Sequence, residues 1–168
     1  MINSSQQDSA IWLSLFNGWQ DKQFDADKQL DHLLSIGLEF LGLDVAILSH
    51  VDGKIYTVKN SVGGGLAKGQ QFRLGDTYCS ITAKKQGVVA IHHMKMSEHF
   101  RHPCYEAFRL ETYIGVPTIR NGSLYGTINF SSSTPRAEPF TIEQQRFVQL
   151  IGECVNWALK AHNKQILL

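Results

Sequence analysis

A chain of 168 residues with 43% apolar and only 18% charged residues has enough apolar material for one packed domain and is not composed like a disordered one. Sixteen basic residues nearly balance fifteen acidic ones, for a formal net charge of +1, so no electrostatic footprint points to nucleic acid as a partner. No apolar run approaches the ~18 residues of a membrane span, and the opening MINSSQQDSA has no signal-peptide pattern. Cys79, Cys104 and Cys154 are odd in number and widely spaced, which predicts reduced thiols and a cytoplasmic protein rather than a disulfide framework.

In chain order, Ile11, Trp12, Leu15, Phe16 and Trp19 recur at helical spacing behind Ser9, predicting a first short helix. Its two tryptophans need covering, by the domain or by a second subunit. Asp25 or Asp27 opens a clearer helix, in which Leu30, Leu33, Leu34, Gly37, Leu38 and Leu41 form one stripe and Gly42 supplies the stop. Val45–Val51 and Lys54–Val62 read as antiparallel strands about an Asp52-Gly53 turn. Gly63-Gly64-Gly65 begins a loop to about Gly69; no phosphate-loop lysine follows, so a nucleotide loop is not expected. A short helix over Tyr78–Lys85 and a short strand over Val88–His92 precede a long irregular stretch, His93–Arg109, with one short helix after Pro103. Long ordered loops in compact domains tend to be functional.

The strongest local signal is the pair of runs Thr112–Ile119 and Ser123–Ser131 about Asn121-Gly122, a hairpin. In the second run Leu124, Gly126, Ile128 and Phe130 alternate with Tyr125, Thr127, Asn129 and Ser131. One face of that strand is therefore apolar and the other carries hydroxyls and an amide. The polar face is either the floor of a pocket or simply a solvated sheet surface. Thr141 caps a last helix, Ile142 to about His162. Phe147, Leu150, Ile151, Cys154 and Ala158 form one stripe along it; Val148, Val155 and Leu159 form a second, with Trp157 between. The second stripe asks for a partner, either the N-terminal helix or another subunit.

The succession GDTYCSITA (75–83), HPCYEAFRLE (102–111), YIGVP (113–117), YGTINFSS (125–132), PR (135–136) and PFT (139–141) before a long helix resembles the GAF domain. It is most similar to the sensory GAF modules that precede bacterial diguanylate cyclase (GGDEF) or histidine kinase output domains. The resemblance implies an α+β fold: a central antiparallel sheet of five or six strands, N- and C-terminal helices on one face, and ligand-lid loops on the other. It divides the chain into an N-terminal helix and linker (1–24), a sensory domain (25–162) and a tail or start of a linker (163–168). It also implies a small-molecule pocket over the polar face, with Tyr78, Cys79, His92, Tyr105, Phe108, Tyr113, Thr127 and Asn129 as its candidate lining.

His92, His93, His99, His102 and Cys104 lie within thirteen residues, but no Cys-x-x-Cys pair exists, so polar loop residues are expected rather than a metal site. Cys79 near a helix start would gain thiolate character from the dipole, yet the stretches of GAF-type methionine sulfoxide reductases are not matched. Tyr105, not histidine, follows Cys104, so covalent bilin attachment is not expected. The signature of cyclic-nucleotide GAF domains has no counterpart, and no catalytic triad or carboxylate pair can be argued. The expectation is a non-catalytic sensor with an unidentified ligand and no assigned cofactor, a homodimer through its terminal helices, with no nucleic-acid or membrane partner. The alternatives are a ligand-free dimerisation module and a thiol-dependent reductase.

Overall fold

The computed structural model describes residues 25–165; the helix predicted around Ile11–Trp19 lies outside them. Helix α1 (Ala26–Leu41) is capped by Asp25, whose carboxylate accepts from the Lys28 N–H at 2.9 Å. It stops at Gly42, whose φ of +65° is the left-handed conformation glycine adopts without a Cβ penalty. Strands β1 (Val45–Asp52) and β2 (Ile55–Val62) follow, then a three-residue edge strand β3 (Gln71–Arg73). The β1–β2 turn is Gly53-Lys54, one residue later than predicted, because glycine takes the φ of +57° that opens the turn. Helix α2 (Cys79–Lys85), strand β4 (Val89–Ile91) and helix α3 (Pro103–Phe108) lead to the hairpin β5 (Thr112–Arg120) and β6 (Ser123–Ser132). Asn121 and Gly122 both have positive φ, the requirement of a type I′ turn.

The six strands form one antiparallel sheet in the order β3-β2-β1-β6-β5-β4. Helix α1 and the last helix, α4 (Ile142–Gln165), pack on one face, the expected α+β arrangement. Thr141 and Gln144 close the α4 N-terminus reciprocally: the Gln144 N–H donates to Thr141 Oγ1 and the Thr141 N–H to Gln144 Oε1. Arg136 of the PR motif joins the two helices, donating to the Leu41 carbonyl at the end of α1 and to Gln144 Oε1.

The helix face is dry and dense. Leu48, Ile114, Val116, Ile128 and Phe130 are each at most 3% exposed and meet Leu33, Leu34, Phe147, Ile151 and Val155. Gly37 lets α1 approach closely: a Cβ there would sit 2.3 Å from the Phe130 ring. The two stripes predicted on α4 merge into one broad buried face holding Phe147, Val148, Ile151, Val155 and Ala158. No described helix is long and apolar enough to cross a membrane.

Candidate functional site

Period-2 alternation sends Tyr113 of β5 and Thr127, Asn129 and Ser131 of β6 to the face opposite the helices, with Ile47 and Ser49 of β1. Strand β2 obeys a different rule along its length. Leu48 pairs with Asn60 and Ser49 with Val58, so Lys59 is the extra residue of a β-bulge. The bulge switches the parity of the strand. Asn60 turns to the helices, donating to Asp31 of α1 at 3.0 Å, whereas Tyr56 and Val58 turn to the opposite face. Simple alternation would have put Tyr56 with Val62 on the helix face.

Over this second face lie α2, α3 and the loops beside them, walling a partly open cavity of about 260 Å³. Its sheet side is Val45, Ile47, Tyr56, Tyr113, Asn129 and Ser131. Phe72 of edge strand β3 adds to that side, and the lid is Gly64, Leu66, Thr77, Tyr78, Cys79, Cys104, Phe108 and Leu110. The volume is just under the ~300–1,000 Å³ of typical ligand clefts.

Polar groups hold the lining in place. The Tyr113 hydroxyl lies 2.7 Å from Thr82 Oγ1 and donates towards Cys79 Sγ at 3.6 Å; Asn129 Nδ2 donates to the same sulfur at 3.2 Å. The Tyr113 ring lies along its own strand over Gly115, where a Cβ would come within 2.5 Å of the phenol oxygen. The Tyr78 hydroxyl donates to the Leu110 carbonyl at 3.0 Å, tying α2 to the segment before β5. The lid has a second tie at His102, which caps α3: its Nδ1 accepts from the Cys104 N–H at 3.2 Å. That leaves the ring proton on Nε2, which donates to Ser80 Oγ at 3.0 Å.

Burial dominates the electrostatics. It pushes the Cys79 thiol above its ordinary value against hydrogen bonds from Thr127, Tyr113, Tyr56 and Thr77. It pushes Cys104 up to about 12, raises Tyr56, Tyr78 and Tyr113, and raises Cys154 on α4. The thiolate character expected for Cys79 from its helix start is therefore absent: a 3%-exposed sulfur pays more for losing water than the short helix returns. His102 is held below its ordinary value by burial and by His99 nearby, against Asp76.

Residues 25–159 match the GAF domain family. The chain belongs to that family. No curated protein matches it at a significant level of sequence similarity. Among solved structures it is similar to the GAF domain of Acinetobacter phosphoenolpyruvate-protein phosphotransferase, with a TM-score of 0.76 at 13% identity over the whole of both chains. It is similar also to free methionine-R-sulfoxide reductase from Neisseria meningitidis in complex with its substrate, with a TM-score of 0.74 at 13% identity over 95% of this chain and 93% of that one. The chromophore-binding domain of an unusual bacteriophytochrome from R. palustris superposes with a TM-score of 0.76 at 13% identity, covering 98% of this chain and 64% of that one. At such identities the likeness is one of fold.

Within this GAF domain, five of the eight residues expected to line the pocket do line the cavity: Tyr78, Cys79, Phe108, Tyr113 and Asn129. Three stand elsewhere. Thr127 faces the right way but lies beneath the floor, 2.9 Å from Ser49 Oγ and bonded towards Cys79. Tyr105 points to the lid's outer side, where its hydroxyl donates to Glu111 Oε1 at 2.6 Å. His92 follows β4 and contributes its carbonyl, which accepts from the Arg136 N–H and the Thr112 hydroxyl. The histidines of the 92–104 stretch do not converge: no group of three metal-ligand side chains forms among the described residues.

Proposed function

We propose that this GAF domain is a sensor whose cavity binds a small molecule and whose terminal helices pass the occupied or empty state to an output. The observation that supports this reading is the placement of the cavity. Strands β1, β5 and β6 each present one face to the cavity and the other to α1 or α4. A molecule that binds one lid position better than another shifts the population of those positions, and the shared sheet brings that bias to the helices. The output we propose is cyclic-di-GMP synthesis or a histidine kinase, in a bacterial cytoplasm and in a homodimer formed through the N- and C-terminal helices. The large apolar side chains at the surface of α4, Ile142 at 71% and Trp157 at 58% exposure, support such pairing.

A thiol-dependent reductase on the same fold is less well supported. Nucleophilic thiols need access and a depressed pKa, whereas Cys79 and Cys104 are buried and burial raises all three thiols. Slow alkylation of all three is expected, and one fast-reacting thiol would favour the enzyme. Covalent attachment of a bilin is opposed by the same burial of Cys104 and by the size of the cavity.

Native mass spectrometry beside a denatured sample tests the proposal. Extra mass lost on denaturation, or gained after incubation with a small-molecule extract, is the expected result. Protein that stays bare in both experiments would contradict it and leave a dimerisation module.

A further inference from the structure

Given that reading of the cavity as a ligand site, we infer that its occupant is an uncharged, largely apolar aromatic molecule of roughly ten to thirteen non-hydrogen atoms, anchored at one end by a hydrogen bond to Ser131. The size follows from about 260 Å³ filled to interior packing density.

The absence of charge follows from the walls. None of the fifteen lining residues is Asp, Glu, Lys, Arg or His. The lining thiols and phenols are neutral at physiological pH, since burial raises every one of them. An ionised ligand would give up its hydration with no opposite charge to receive it. Aromatic character follows from the rings that line the cavity, Tyr56, Phe72 and Tyr113 on the sheet with Tyr78 and Phe108 on the lid, which meet one another edge to face.

The anchor follows from the hydrogen bonds already made. Thr77 donates to the Leu74 carbonyl, Tyr78 to the Leu110 carbonyl, Tyr113 pairs with Thr82, and Asn129 donates to Cys79. The Tyr56 hydroxyl lies among Cys79, Asn129 and Ser49. Ser131 is 1% exposed, lines the cavity, and its hydroxyl makes no hydrogen bond with any described residue. A cavity-facing hydroxyl with both its donor and acceptor free can take a partner from within the cavity, and a ligand alcohol, carbonyl or amide supplies it.

The test is calorimetric titration at neutral pH with three compounds of one shape: naphthylmethanol, naphthoate and naphthylmethylammonium. Wild type is compared with Ser131→Ala and with Leu66→Trp, which fills the cavity from the lid loop; thermal unfolding verifies that each variant is folded. Naphthylmethanol should bind, Leu66→Trp should abolish that binding, and Ser131→Ala should weaken it by roughly three- to tenfold. Both ions should bind at least about a hundredfold more weakly than the alcohol. An ion that matches the alcohol and is blocked by Leu66→Trp would overturn the uncharged class while leaving the ligand site standing. An alcohol affinity unchanged in Ser131→Ala would overturn the anchor. Binding of none of the three, or binding indifferent to Leu66→Trp, would contradict the ligand-site reading itself.

Discussion

The two faces of this sheet are built from the same strands and obey opposite rules. On the helix side, Ile114, Val116, Ile128 and Phe130 fill every space against α1 and α4, and Gly37 removes a side chain so that the fit closes further. On the lid side the side chains are larger and more polar, yet they leave about 260 Å³ unfilled. Tyr113 spends its length along the strand over Gly115 instead of reaching into the space. A close-packed face transmits displacement because it has no slack. A face with a partly open void can exist in more than one arrangement. On the proposed sensor reading, one side supplies stability and relay and the other recognition.

Four substitutions press on that contrast. Phe130→Ala should have the largest effect, destabilising by about 3–5 kcal/mol because the helix face cannot collapse onto the hole; a loss under about 1 kcal/mol would show that face to be looser than described. Tyr113→Phe removes the hydroxyl that engages Thr82 and Cys79 and should cost about 1–2 kcal/mol. Thr118→Val should act with the opposite sign. The Thr118 hydroxyl is buried on β5 without a hydrogen-bond partner among the described residues, so its removal should be neutral or stabilise by up to about 1 kcal/mol. Urea midpoints at unchanged slope read all three, and a shared sign for the two hydroxyl deletions would erase the proposed difference. The smallest effect concerns the lid tie. The folded-state pKa of His102 is lowered, so the unfolded chain binds its proton more readily. Stability from this group is present above about pH 6.5 and is lost as pH falls through and below it. His102→Asn keeps a capping side chain and should flatten that part of the stability–pH curve; an unaltered slope would remove His102 from the account.

The parts of this design that repeat with a fixed period were legible in the sequence. The alternation of β6 placed Asn129 towards the pocket and Ile128 and Phe130 towards the helices, and Asn121-Gly122 marked the turn of the hairpin, although a bulge at Tyr125 shifts the register beyond it. Tyr56 was not legible, because a single extra residue at Lys59 reverses the strand's parity and nothing local announces it. Strand β3 has three residues, too few to show alternation. Leu66, Phe72, Cys104 and Leu110 reach the cavity from loops and short elements, where position follows from tertiary packing. Ser131 stood on the predicted polar face, and only the hydrogen bonds made by its neighbours distinguish it from Thr127, which Ser49 already engages. Cys79 shows how burial overrides a local cue such as a helix start.

Diffraction from a xenon-pressurised crystal tests the central claim most directly, since xenon occupies apolar voids and ignores close-packed interiors. The account predicts xenon between Ile47, Leu66, Tyr78 and Phe108 and none between the sheet and α1 or α4. An empty lid-side cavity, or xenon under the helices, would contradict it.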